Sequence, residues 1–290
     1  MLRWLENEPL AKYTSWRIGG PACYLVEAAT PDDLREVLVW AQERELGVTL
    51  LGGGTNTLAL DQGFDGVVVR YRNQDVQIEP HDNTALAILA AGAPTAGTAR
   101  RLSHGGWAGL EWAEGLPGTI GGAVFGNAGC YGGDMAAVLN RAWLLIDHQV
   151  QEWPVEQFGY GYRASTLKML EQPNLAIILA AEVRLQHADP RELAARMEQT
   201  AAMRRSKTPS GQSCGSVFKN PIGDSAGRLI EAAGLKGLRV GAAEIALKHA
   251  NYIVNIGGAS SSDVLRLIDT ARERVFSAFG IELALEVRIL

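Results

Sequence analysis

The run Ser213-Cys214-Gly215-Ser216-Val217-Phe218-Lys219-Asn220-Pro221 puts a serine between a glycine and an apolar Val-Phe pair, with Lys219 and Asn220 close behind. Three roles are open to Ser216: nucleophile, proton donor or turn residue. A nucleophilic serine needs a base within hydrogen-bond reach and usually a strained turn, and this run lacks the Gly-x-Ser-x-Gly elbow. Five scattered histidines could fold toward it, so a triad stays open. A serine that enters a strand and bonds backbone is the plain alternative, and composition alone favours it. A strand here would set Cys214 on the same face as Ser216, as a competing donor. A small apolar filler is the simpler reading of that cysteine.

Two glycine clusters carry the next signal. In 51–58 (LGGGTNTL), a glycine-rich turn follows an apolar strand, where consecutive glycines let backbone N–H groups face an anion. Gly52, Gly53, Gly54, Thr55, Asn56 and Thr57 are its candidate ligands. Thr57 stands where a dinucleotide fingerprint needs its third glycine, and no Gly-Lys-Ser/Thr phosphate loop exists, so an ordinary tight turn is equally open. The second cluster places eight glycines between Gly115 and Gly133. It reads as too irregular for a helix and too glycine-rich for a stable strand. Ile120, Val124 and Phe125 argue against a loop in water. Two such backbone surfaces in one lobe point to a planar, phosphate-bearing cofactor.

These residues need elements to hold them. A strand over 23–28, a helix capped by Thr30 and opened by Pro31, and a strand after Gly47, read as the helix stop, make an α/β opening. Further strands are predicted in 66–71, 84–92, 141–147, 150–154 and 175–186, and a short helix in 95–106. Pro190 opens a long helix, and a domain boundary falls near residue 188. The remainder reads as a compact mixed lobe whose last strand, 283–290, puts Leu283, Leu285, Val287 and Ile289 on one face and Glu286 and Arg288 on the other.

Composition narrows the partners. A net charge of -5 without a long basic run excludes the footprint of a nucleic-acid binder and favours a small molecule. No apolar run approaches the roughly 20 residues of a membrane span, and the charged amino terminus is no signal peptide, so a soluble cytoplasmic protein is expected. Cys23, Cys130 and Cys214 are odd in number and dispersed, which indicates neither a disulfide framework nor a metal site. No obligate protein partner is inferred.

Taken in order, 51–56 (LGGGTN), 115–129 (GLPGTIGGAVFGNAG), 160–165 (YGYRAS), 214–221 (CGSVFKNP), 226–237 (AGRLIEAAGLKG), 248–255 (KHANYIVN) and 285–290 (LEVRIL) resemble the UDP-N-acetylenolpyruvoylglucosamine reductase family over nearly the whole chain. The resemblance implies an α+β fold: a two-subdomain FAD-binding region of vanillyl-alcohol-oxidase (PCMH) type, over 1–70 and 71–187, then a mixed α/β substrate domain over 188–290. It implies FAD as cofactor, NADPH as electron donor and UDP-N-acetylglucosamine enolpyruvate as substrate. FAD would lie on the first cluster and on Gly115, Pro117, Gly118, Thr119, Gly121, Gly122, Asn127 and Gly129.

The implied reaction sends a hydride to a vinyl carbon and a proton to its neighbour, with charge pushed into the substrate carboxylate. Arg163 matches the family arginine that would hold that carboxylate, although by itself it reads as an exposed turn residue. Glu286 becomes the second stabilising group, hydrogen bonding in a protonated form. A carbanion is basic enough to take a proton from a neutral hydroxyl, so Ser216 becomes the proton donor. Asn220 matches a position near the nucleotide. Lys219, Arg204, Tyr131, Lys248 and His249 are diphosphate or uridine contacts by motif proximity, and Lys248 and His249 could equally cap a surface turn. Only 52 residues separate Arg163 from Ser216, which fits the subtype without a tyrosine-bearing lid loop. Two rivals remain: an FAD oxidase of an alcohol or sugar, with Cys130 available for a covalent flavin link, and a nucleotide-sugar-binding module without turnover.

Overall fold

The computed structural model describes residues 2–170 and 176–290, so the expected strand start at Leu175 lies outside the described residues. The chain forms two compact units, one of Met1–Leu5, Leu25–Gly52 and Gly66–Arg204, the other of Glu6–Tyr24, Gly53–Asp65 and Arg205–Leu290. The expected division at residues 70 and 187 follows chain order, whereas compaction interleaves distant stretches because strand pairing joins them.

Two sheets supply most of the strands of the first unit. Strands β1 (Arg3–Pro9), β2 (Pro21–Ala28), β3 (Gly47–Leu50) and β5 (Phe64–Tyr71) lie in the order β1-β2-β5-β3, with β3 parallel to β5. Helix α1 (Pro31–Gln42) buries Leu34, Val37 and Ala41, at the spacing of one helical face. Thr30 and Asp33 form a reciprocal capping box at its start, worth about 1 kcal/mol. Gly47 does not close this helix: Glu45, at φ +54°, makes the left-handed exit turn and leaves Gly47 to begin β3.

The second sheet runs β12-β11-β13-β7-β6, built from β6 (Val76–His81), β7 (Thr84–Ala90), β11 (Leu139–Ile146), β12 (Gln149–Pro154) and β13 (Ala176–His187). The short strand β8 (Trp107–Ala108) adds to β13. Helix α2 (Thr95–His104) contributes Ala99 and Leu102 to the core on one side of this sheet, with Ala87, Leu89, Ala181 and Val183. The glycine-rich stretch departs from its irregular reading, because Ile120–Gly126 is a helix, α3, capped by the Thr119 hydroxyl and ended by Asn127 at φ 44°. Ile120 and Val124 are fully buried in the same core, and that burial offsets the helix-breaking tendency of three glycines. A tight pair of strands, β9 (Gly129–Cys130) and β10 (Gly133–Asp134), follows, then the short helices α4 (Met135–Val138) and α5 (Thr166–Met169). The long helix α6 is Pro190–Lys207, as its proline predicts.

The second unit packs Trp16, Val217, Phe218, Leu229, Ile230, Val264, Leu267 and Ile268 into its own core. It contains α7 (Ala226–Ala232), the sheet β14-β15-β16 (Arg239–Val240, Ala243–Ile245, Ile253–Asn255) and α8 (Ser261–Phe279), which starts at a Ser260/Asp263 capping box. The strand β4 (Thr57–Leu58) pairs in parallel with β17 (Arg288–Ile289). The predicted terminal strand 283–290 is therefore shorter than expected. Leu283 and Val287 are buried as the alternation requires, but Ile289 is 46% exposed.

Candidate active site

In the first unit, the two glycine-rich segments meet. A side chain on Gly52 would lie 2.9 Å from the Thr119 hydroxyl, so the Thr119 side chain sits close against the Gly52 backbone because no Cβ intervenes. Gly52 is exposed next to the buried Leu51, and Gly122 next to the buried Ala123, leaving bare backbone at the surface of this unit. This surface fits a flat, phosphate-bearing group such as FAD. Not every glycine in the cluster is free to donate to one. The Gly121 N–H is given to the Ala91 carbonyl at 2.8 Å, and the missing Cβ of Gly121 lets α3 rest on Ala91, so packing, not N–H donation, is its part. Gly129 similarly makes room for Asp134. The Thr119 hydroxyl accepts the Gly122 N–H, and Gly118, at φ +116°, accepts the Thr95 N–H.

Arg163 sits in the turn Gly161–Ala164 at φ 54°, half buried. Its guanidinium donates to the Gly129 carbonyl at 2.6 Å and to the Asn127 carbonyl at 3.4 Å. The turn is stitched to the same glycine-rich segment by Tyr160, which donates to Val124 O at 2.7 Å, by Ser165, which donates to Phe125 O at 2.6 Å, and by Asn127, which donates to Gly161 O at 3.1 Å. Burial pushes the Tyr160 phenol well up, so it stays a neutral donor. Sequence reading missed Tyr160 and Ser165 as holders of Arg163, although both lie in the quoted motif.

Arg204 donates to the Glu114 carbonyl at 3.1 Å and to the Cys130 sulfur at 3.2 Å, and its guanidinium lies 5.4 Å from the Tyr131 ring centre. Arg163 and Arg204 thus both bear on the strand Gly129–Cys130. A side chain on Gly115 would meet Arg204 at 3.0 Å. Burial raises the Cys130 thiol above its ordinary range, against the pull of both arginines, and the thiol donates to Trp112 O at 3.1 Å. A protonated, engaged thiol is a poor anchor for a covalent flavin link.

The second unit joins the other two catalytic candidates. Residues 217–219 run beside 284–286: the Val217 carbonyl accepts the Glu286 N–H at 2.8 Å and the Val287 N–H at 3.4 Å, and the Lys219 N–H donates to Ala284 O at 2.9 Å. Two residues opposing one is the geometry of a β-bulge, and it sets Glu286 beside the residue that follows Ser216. Asn56 reaches the same place, donating its amide to the Glu286 carbonyl at 3.0 Å. Ser216 is half buried and is not in a strand, because Gly215 at φ +76° breaks the run. Cys214, 3% exposed, lies in the unit's apolar core and donates to the carbonyls of Gly54 and Thr57, with its thiol pushed up to about 11 by burial. The strand that would have put Cys214 and Ser216 on one face does not form.

The substrate candidates separate. Asn220, exposed, accepts the Ala226 N–H through its side chain at 3.1 Å, and Lys219 stands between Phe218 and it, half buried. Lys248 donates to the Arg205 carbonyl at the end of α6, at 2.6 Å, which is the capping role left open for it. His249 accepts the Asn251 N–H at 3.2 Å and packs on Tyr252, and burial lowers its pKa, so it is a neutral ring, not a cation for a diphosphate. Arg163, Arg204, Tyr131 and the second glycine cluster belong to the first unit, and Ser216, Lys219, Asn220, Lys248, His249, Glu286 and 53–57 to the second. Among the described residues no helix is long and apolar enough to cross a membrane, and no three His, Cys, Asp or Glu are grouped to hold a metal ion.

Two family models match the chain, an FAD binding domain over residues 22–142 and the C-terminal domain of UDP-N-acetylenolpyruvoylglucosamine reductase over 206–290. The chain is 55% identical over 286 residues to a UDP-N-acetylenolpyruvoylglucosamine reductase of Chloroflexus aurantiacus, a match covering 98% of this chain and 96% of that protein. It is 44% identical over 284 residues to the protein of the same name from Rubrobacter xylanophilus, with 98% and 94% covered. The crystal structure of UDP-N-acetylenolpyruvylglucosamine reductase from Thermus caldophilus is similar with a TM-score of 0.84 at 33% identity, covering 100% of this chain and 98% of that one.

Proposed function

This chain belongs to the UDP-N-acetylenolpyruvoylglucosamine reductase family, and from that premise we propose how its own residues carry out the reduction. It is an FAD-dependent oxidoreductase acting on UDP-N-acetylenolpyruvoylglucosamine in peptidoglycan precursor synthesis, with the α+β fold that includes an FAD-binding region. The backbone surface at Gly52 and Gly115–Gly129 would hold FAD, with Asn127 and Thr119 fixing its shape. FAD, when bound and reduced, would supply the hydride for the vinyl carbon. Electron density then moves onto the neighbouring carbon and its carboxylate.

Ser216 gives its hydroxyl proton to that neighbouring carbon, completing the lactyl ether, and needs no histidine because the carbon is the stronger base. The Arg163 fork pairs with the substrate carboxylate as its charge grows. Glu286 is proposed as the second group that stabilises the same charge. NADPH is the proposed source of electrons. Asn220, Lys219, Arg204 and Tyr131 are proposed contacts for the nucleotide and its diphosphate, whereas Lys248 and His249 serve the backbone. The observation that supports this reading most is the pairing of 217–219 with 284–286, which makes the proton donor and the carboxylic acid parts of one structural piece.

The test is spectroscopic. Purified protein carries a yellow flavin, which NADPH bleaches and UDP-N-acetylenolpyruvoylglucosamine restores. Ser216→Ala bleaches at nearly the parent rate and recovers colour about 10²- to 10⁴-fold more slowly. A protein that neither holds nor takes up FAD, or a Ser216→Ala variant slowed equally in both steps, contradicts the proposal.

A further inference from the structure

Asn251 is a buried polar side chain, 3% exposed, with no place in the chemistry above. Its carboxamide is spent on a single residue: Oδ1 accepts the Phe218 N–H at 2.9 Å and Nδ2 donates to the Phe218 carbonyl at 2.8 Å. Its own carbonyl accepts the Val217 N–H at 2.9 Å. The side chain therefore pairs with Phe218 as a neighbouring strand would, on the side away from the pairing with 284–286. Three bonds fix the two residues that follow Ser216. On the other side Gly215, at φ +76° with open space where a Cβ would stand, separates Ser216 from the buried Cys214. Asn251 is held in turn by its N–H on the His249 ring at 3.2 Å, and His249 is wedged so closely that a Cβ on Gly227 would lie 2.9 Å from it.

We propose that Asn251 is a positioning residue for Ser216: it orients the serine hydroxyl for proton delivery by locking Val217 and Phe218 from behind. The inference rests on the reading of Ser216 as proton donor. A displacement of about 1 Å at a reacting group costs on the order of 10²-fold in rate, which sets the size of the expected effect.

The experiment uses the FAD-loaded full chain and follows two single-turnover steps, bleaching by NADPH and recovery with UDP-N-acetylenolpyruvoylglucosamine. In Asn251→Leu, bleaching stays within about 2-fold of the parent while recovery slows about 10- to 100-fold. Asn251→Asp keeps the acceptor and loses the donor, and slows recovery by an intermediate factor. It also decides the matter alone if Asn251→Leu does not retain FAD. Because Asn251 acts through Ser216, adding Asn251→Leu to Ser216→Ala slows recovery by less than about 3-fold beyond Ser216→Ala alone. Independent, multiplying losses overturn the inference, as does equal slowing of both steps or recovery at the parent rate in Asn251→Asp. If Ser216→Ala alone recovers at the parent rate, the proton-donor reading falls and this inference with it. A slow Ser216→Ala beside normal Asn251 variants removes only the positioning role.

Discussion

Asn56 holds Glu286 by its backbone: the Asn56 amide donates to the Glu286 carbonyl at 3.0 Å, and the Asn56 carbonyl accepts the Arg288 N–H at 3.0 Å. A residue read from a glycine-rich turn as a cofactor ligand is thus also a clamp on a strand 230 positions away. Asn56→Ala removes a hydrogen bond to the half-buried Glu286 carbonyl, at a cost of about 0.5 to 1.5 kcal/mol. A lower melting temperature is expected, with kcat reduced more than KM is changed. Steady-state kinetics on FAD-saturated protein check this.

Cys214 and Ser216 separate experimentally. Cys214→Ala removes a small core group and is expected to lower stability by about 1 kcal/mol while turnover stays within about 2-fold. The native thiol, pushed up to about 11, resists alkylation at pH 8 and reacts only on unfolding. A Cys214→Ala variant that bleaches normally but reduces substrate about 10²-fold more slowly would make Cys214 the donor.

Arg163→Lys keeps a charge but loses the planar fork and the paired hold on Gly129 and Asn127 carbonyls. Flavin retention is expected to persist, with substrate reduction falling about 10²-fold. Rapid mixing of the reduced variant with substrate reads the loss directly.

The two halves of the first glycine cluster answer differently to alanine. At Gly54, φ is +61° and a Cβ would lie 1.9 Å from the Tyr13 carbonyl, so Gly54→Ala is expected to destabilise the fold by more than about 2 kcal/mol. At Gly52 the obstacle is the Thr119 hydroxyl at 2.9 Å, which can rotate. Gly52→Ala is expected to keep its melting temperature within a few degrees in apo form and to bind FAD more weakly, as an equilibrium titration would show.

Glu182 sets an acid limit for the first unit. It is 2% exposed, and its desolvation is outweighed by hydrogen bonds from Arg141 at 2.9 Å and Asn140 at 2.6 Å, which hold its carboxyl below the ordinary value near 4.5. A lowered folded pKa adds stability that is complete above the unfolded value and is lost as pH falls below it toward the folded one. Melting temperatures measured from pH 6 down to pH 3 should fall less steeply in Glu182→Gln than in the parent.

Much of the scaffold was legible because its signals are local. The Thr30 cap, the alternation of the strands and the proline at the start of α6 depend on a few neighbouring residues, and each element formed where those residues lie. The seven ordered motifs likewise led to the family and so to FAD. The failures share one cause. Seven residues with three glycines became helix α3 because Ile120 and Val124 had a sheet to bury against, which no window of sequence displays. The terminal strand shortened to Arg288–Ile289 because its partner is the two-residue strand at Thr57, far off in the chain.

The sequence by itself determined which residue types are present for the chemistry: a hydroxyl at 216, a guanidinium at 163, a carboxyl at 286 and two bare stretches of backbone. Tertiary structure decided what each is tied to. Arg163 is tied to the Gly129 carbonyl, Glu286 to Val217 and Asn56, and Cys214 is taken out of contention by the core around it. Those assignments rest on hydrogen bonds between residues remote in the chain, and a bond of that kind exists only once packing has removed water from both partners and brought them within about 3 Å.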